Sequence, residues 1–212
     1  MIEAVRQLPG IMFRIKGELI VEDKDGKVIE RKEFTPHSFV DNFSQWVWSL
    51  LGGGFVDCSG TPQFQFKDTD GNSQAIAFQK IQNAGSLCAV APSGEDKYGI
   101  LVGTSSQAWD YNDYNLIAKI AHGTGSGQLS YGATTLSTIG GTGAPATIDI
   151  QRSFDNLSGA DITVNEIGLA VHVRDDTVPV DYYMLIARDV ITATTVPNGG
   201  RLTVKYTIQI NP

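Results

Sequence analysis

The sequence predicts a mainly β chain, an antiparallel, jelly-roll-like β-sandwich with one amphipathic helix, and three observations predict it. Apolar and polar residues alternate through the last third, most clearly at Leu202, Val204, Tyr206, Ile208 and Ile210 with Thr203, Lys205, Thr207 and Gln209 between them. Turns rich in Gly, Pro, Asn and Asp punctuate short runs of β-branched and aromatic residues along the rest of the chain. A helical spacing occurs once, near 38–51, and no βαβ rhythm follows it. The 212 residues, 42% of them hydrophobic, suffice for a single β-rich domain spanning 1–212.

From the amino end, Lys16 to Val21 and Val28 to Phe34 form a hairpin, making residues 1–35 an N-terminal arm. Its turn is Asp23-Lys24-Asp25-Gly26, where Gly26 supplies the positive φ that such a turn demands. Pro36 stops it. Phe39, Val40, Phe43, Trp46, Val47, Leu50 and Leu51 then recur at i, i+3/i+4 and i+7, which predicts a helix over 38–51. Ser38 is the expected N-cap, Asp41 complements the exposed amides, and Gly52-Gly53-Gly54 ends the helix. Asp41, Asn42, Ser44 and Gln45 fall on the opposite side, so the apolar face is expected against a sheet or a neighbouring subunit. Phe39, Phe43, Trp46, Val47 and Leu50 are the candidate packing or interface residues of that helix.

A second hairpin is expected from Phe64 to Lys67 and Ser73 to Phe78 about Asp68-Thr69-Asp70-Gly71, followed by loop over 82–99. The core sandwich strands fall in 98–212. They are Tyr98 to Gly103, Leu116 to Ala121, Leu129 to Leu136, Ala146 to Phe154, Ile162 to Val173, Tyr182 to Val190, and Leu202 to Ile210. In the Ile162–Val173 run the apolar phase slips by one at Asn165-Glu166, which predicts a β-bulge there.

Sixteen Lys and Arg against 23 Asp and Glu leave a net charge of −7, which argues against nucleic-acid and polybasic membrane-surface binding. No apolar run is long enough to span a bilayer, and the first residues carry no apolar signal region, so synthesis in a cytoplasm is expected. Cys58 and Cys88 form no CxxC or Cys/His cluster; two thiols are expected in a reducing cytoplasm, with one disulfide between them the alternative. His37, His122 and His172 lie far apart with no metal-binding spacing, so neither metal nor cofactor is expected. The two Asp-x-Asp-Gly stretches lack the first acid of a calcium loop and read as hairpin turns. Gly123–Gly127 and Gly140–Gly143 lack the Lys and the following helix of phosphate cradles and read as turns. No nucleophile elbow and no pair of catalytic carboxylates can be picked out, so the chain is expected not to be an enzyme. One cluster could grip a partner. Trp109, Asp110, Tyr111, Asp113 and Tyr114 put flat apolar faces beside acceptors, which suits a subunit contact or a sugar.

Tyr98-Gly99-Ile100-Leu101-Val102-Gly103, Arg152-Ser153-Phe154-Asp155-Asn156, Asn165-Glu166-Ile167-Gly168-Leu169, Leu185-Ile186-Ala187-Arg188-Asp189-Val190 and Val196-Pro197-Asn198-Gly199-Gly200 form a further pattern. With these motifs, a little over half the chain resembles a family of tailed-bacteriophage virion structural proteins. The resemblance implies a capsid decoration or cement protein in the virion, assembled as a homo-oligomer on major capsid or tail proteins. A tail, collar or fibre-associated protein that binds a glycan receptor through the Trp109–Tyr114 loop is the alternative. A cell-wall hydrolase is a third reading.

Overall fold

In the computed structural model, the described residues are 12–36, 39–52, 63–77, 88–139, 146–175 and 180–211. They form an antiparallel β-sandwich. Eleven strands run in the order β1 (Met12–Glu22), β2 (Val28–Phe34), β3 (Gln63–Lys67), β4 (Ser73–Ala77), β5 (Gly99–Gly103), β6 (Ser130–Tyr131), β7 (Thr135–Leu136), β8 (Ala146–Asp155), β9 (Ile162–Asp175), β10 (Val180–Val196) and β11 (Arg201–Asn211). The helix α1 (Asp41–Gly52) lies between β2 and β3.

The larger sheet has the order β2-β1-β11-β8-β6, with β7 also paired to β8. The smaller is β10-β9-β5, and β3 and β4 form a separate hairpin. Their inner faces meet in one core that includes Leu19, Val21, Ile100, Val102, Phe154, Ile167, Leu202 and Val204. The N-terminal hairpin is built into this sandwich, since β1 pairs with β11 from Met12↔Asn211 to Glu22↔Arg201. That places the most regular strand of the sequence, β11, between β1 and β8, with both edges hydrogen-bonded. The outer edge of the sheet is β2, where Glu30, Arg31, Lys32 and Glu33 put charge along the open ladder.

Several expectations change. Leu116–Ala121 is not a ladder strand. Leu116 and Ile120 are buried, but beyond a single bridge of Lys119 to Gly103 the segment is irregular. Leu129–Leu136 is not one strand but the two short pieces β6 and β7, each held against β8. The register irregularity lies across from Asn165 rather than in β9. Val190 faces Glu166 and Thr194 faces Val164, so the extra residues belong to β10. The apolar phase of β9 misled because its middle is buried on both faces, with Glu166 and Ala170 as inaccessible as Ile167.

The helix starts at Asp41 rather than Ser38 (Ser38 and His37 lie outside the described residues). Phe39 instead bridges Ala187 of β10 in extended backbone. Asn42, expected on the solvent side, is buried: its amide donates to the carbonyls of Lys67 at 2.8 Å and Leu185 at 3.0 Å and accepts from Lys67 N–H. With Val40 N–H donating to Ile186 O and Thr69 N–H to Tyr183 O, these bonds satisfy carbonyls along the 183–186 part of the free edge of β10.

Candidate functional site

The cluster picked out at 109–115 is an ordered loop with a buried support. At its base, Gly103 and Thr104 leave β5 and the chain returns at Ala118, where Thr104 N–H donates to Ala118 O at 2.9 Å. Glu166 of β9 lies beneath and accepts from Ala118 N–H at 2.7 Å and Ile117 N–H at 3.2 Å. Its second role is an ion pair, Arg188 Nε to Glu166 at 2.8 Å, with both side chains fully buried. The remaining guanidinium nitrogens reach the loop. Nη1 pairs with Asp113 at 2.9 Å and also donates to Ala108 O, while Nη2 donates to Gln107 O. One cation thus ties β10, β9 and both limbs of the loop, through charge-assisted bonds stronger than neutral ones.

Two glycines make room for this. A side chain at Gly103 would run into the Glu166 carboxylate, and one at Gly168 would meet Leu116 at 2.9 Å. Gly168 is therefore the place where Leu116 plugs the loop onto the outer face of β9.

On the outside, Asp113 Oδ2 accepts Asp110 N–H, and Asp110 Oδ1 accepts the backbone and side-chain N–H groups of Asn112. Those bonds from Asn112 hold the Asp110 carboxyl below its usual range. Asp41, at the start of α1, donates its N–H to Tyr111 O and accepts the Tyr111 hydroxyl at 3.0 Å. Tyr114 lies under Lys67, whose Nζ is 4.1 Å from the ring centroid, and Asn115 donates to Thr69 O.

The five predicted loop residues therefore divide. Trp109 at 39% exposure, Tyr111 at 43% and Asp110 face solvent. Asp113 and Tyr114 are spent on Arg188 and Lys67. Of the helix residues, Phe39 and Phe43 stack with centroids 3.8 Å apart and Phe43 packs on Trp46 at 5.6 Å; all three lie against the core. Val47 is half-buried beside them, and the side chain of Leu50 lies outside the described ones.

Sequence reasoning missed the support, although the residues were in view. Glu166 of the Asn-Glu-Ile-Gly-Leu motif and Arg188 of the Ala-Arg-Asp-Val motif are a rare case of opposite charges inside apolar strands, and that was the available signal. It also missed Arg152, fully buried on β8, which donates to the carbonyls of Gly132, Tyr98, Ile100, Pro92 and Glu95 and so binds the 92–100 segment to the larger sheet. Asn156 does the same for the last turn: it donates to Ala160 O and Val196 O, and its carbonyl accepts Gly199 N–H.

The other titratable groups serve local structure. His122 Nδ1 accepts from Tyr131 N–H, and His172 Nε2 lies 2.8 Å from Asp181. Asp23 and Asp68 accept N–H groups of their own turns. Cys88 is a free thiol, while Cys58 and Gly140–Gly143 lie outside the described residues. Among the described residues, no group of three His, Cys, Asp or Glu side chains is placed to hold a metal ion, and no helix is long and apolar enough to cross a membrane. Comparison with protein-family models, with curated proteins and with solved structures finds no match to this chain.

Proposed function

We propose that this chain is a non-enzymatic structural protein of a tailed-phage virion, acting as a decoration or cement protein on the head lattice as a homo-oligomer. The observation that carries the reading is the construction of the 104–118 loop. A buried ion-pair network anchors its base, and Trp109 and Tyr111 are among the side chains it presents to solvent. Aromatic side chains held in place in the free protein lose little conformational freedom on contact, and Trp and Tyr are the residues that most often dominate interfaces. The motifs that carry the resemblance to virion proteins supply this scaffold, since Glu166, Gly168 and Arg188 all belong to them.

Mass spectrometry of purified virions encoding this chain is expected to find it in hundreds of copies, and its absence from particles overturns the reading. Trp109→Ala with Tyr111→Ala is expected to lower its occupancy on particles at least tenfold, taking about 2 kcal/mol for an anchoring aromatic. A second reading, a tail, collar or fibre-associated protein that binds a glycan, is favoured by Asp110 and Asn112 flanking those rings as hydrogen-bonding groups. A handful of copies per particle, with glycan-array binding lost in the same variant, would select it.

A further inference from the structure

The 104–118 loop carries negative charge from its base to its rim. Its own residues include Asp110 and Asp113 and no Lys, Arg or His. Beneath it the buried Arg188 is shared by Glu166 and Asp113, so the support itself is one positive charge short of neutral. At the rim Asp110 and Asp41 add two carboxylates beside the exposed Trp109 and Tyr111. Lys67, at the flank, is taken up by the Tyr114 ring.

The rim carboxylates are only half used. Asp110 accepts both Asn112 N–H groups on Oδ1, and Asp41 accepts the Tyr111 hydroxyl and the Gln45 amide on Oδ1. Among the described residues no donor reaches Oδ2 of either. A free carboxylate oxygen next to an exposed indole and phenol suits a cation, because the rings attract positive charge while the oxygen accepts its N–H. A guanidinium meets both at once. It is planar, so it lies on a ring while donating in its own plane, and it is more weakly hydrated than an ammonium. A neutral sugar would leave the rim charges unpaired.

The described part of a second copy does not supply that cation. Arg31, Arg174 and Arg201 are engaged by Glu18, Asp181 and Asp155 of their own chain, and Arg152 and Arg188 are buried. The complementary charge therefore belongs to a different protein.

We propose that the loop docks on an arginine-bearing surface of the protein that forms the head lattice, with a guanidinium laid against Trp109 and Tyr111 and donating to Asp110. The inference names the partner chemistry of the virion role and rests on that reading.

The test is rebinding of the purified full-length protein to particles grown without it. Wild type is expected to bind with an affinity that falls as salt rises. Asp110→Asn keeps an oxygen for both Asn112 bonds and removes only the charge. It should bind about tenfold more weakly at low salt, the factor for one charge-assisted hydrogen bond, with a shallower salt dependence. Blocking the arginines of the particles with phenylglyoxal should abolish rebinding, whereas acetylating their lysines should leave it intact. Wild type and Asp110→Asn rebinding equally, or acetylation rather than phenylglyoxal blocking the wild type, overturns the proposal and leaves the virion reading standing. Rebinding lost after periodate oxidation of the particles, and not after phenylglyoxal, assigns the loop to a glycan and overturns the partner named here. Self-association of the free chain that Asp110→Asn abolishes in sedimentation runs overturns it in favour of a second copy. If wild type does not bind such particles at all, the virion reading falls and this inference falls with it.

Discussion

Among the described residues, two arginines are wholly buried, one in each sheet, and they hold irregular chain by opposite means. Arg188 on β10 meets two carboxylates, Glu166 and Asp113, and reaches the 104–118 loop mainly through them. Arg152 on β8 gives its hydrogen bonds to five carbonyls and lies over the rings of Tyr131 and Phe154, at 4.7 and 5.9 Å from their centroids. Burial pulls its guanidinium down to about 10, against the opposing pull of Tyr131, Glu95 and Asp96, so it stays charged at neutral pH. The difference teaches that a buried cation can order a segment in two ways. Carboxylate partners fix a few side chains strongly, whereas a carbonyl cage fixes the main chain itself, in a region where no ladder satisfies those oxygens.

The largest expected effect breaks the first arrangement. Arg188→Met leaves Glu166 and Asp113 buried without a counter-charge and should cost about 3–5 kcal/mol in denaturant unfolding. It should also open the 104–118 loop to limited proteolysis. Adding Glu166→Gln should restore part of the loss. Strictly additive losses would mean that the two residues are not coupled, and the comparison with Arg152 would lose one of its sides.

Next comes Arg152→Met, which strands several carbonyls but no charge and should cost about 2–4 kcal/mol. Here hydrogen exchange should rise in 92–100 and not in 104–118. Exchange rising in both would show one shared support rather than two.

Gly168→Ala sharpens the comparison on the Arg188 side. It pushes a methyl group against Leu116 and Leu185 and should cost about 1–3 kcal/mol, with protection lost first at Leu116–Ala118.

The smallest effect is in alkali. Burial, together with the Asp189 carboxylate beside it, raises the Tyr206 phenol well above its usual range, and burial raises Tyr131 as well. Because the folded values lie above the unfolded value of ~10, the neutral phenols contribute fully below that pH and lose their contribution as pH rises through it. Each should remove about 1.4 kcal/mol of stability per pH unit above pH ~10. Tyr206→Phe should flatten the alkaline limb by one such slope, and an unchanged limb would refute the assignment.

Much of the fold was legible because local patterns report it. The alternation of Leu202 to Ile210 marks β11, and the Asp-Gly turns mark both hairpins. The candidate loop was legible as a cluster of aromatic and acidic residues, but not which of its members face out. Trp109 and Tyr114 look alike in sequence, and only the position of Lys67, far earlier in the chain, turns Tyr114 inward. Leu116 to Ala121 alternates like a strand. Its N–H groups nevertheless go to Glu166 and Val102 in an irregular path, and alternation reports burial there rather than pairing.

By itself, then, the sequence determined most of the described strands, both hairpin turns, a helix near 41–52 and the residues that line its apolar side. Each of these follows from neighbours two to four residues apart, the range over which backbone geometry repeats. Only the tertiary structure decided that β11 lies between β1 and β8, that Asn42 is buried, and that Glu166 meets Arg188 from 22 residues away. It alone decided the partners of Arg152. Every residue carries a carbonyl, so a cage of five of them leaves no mark in the order of side chains.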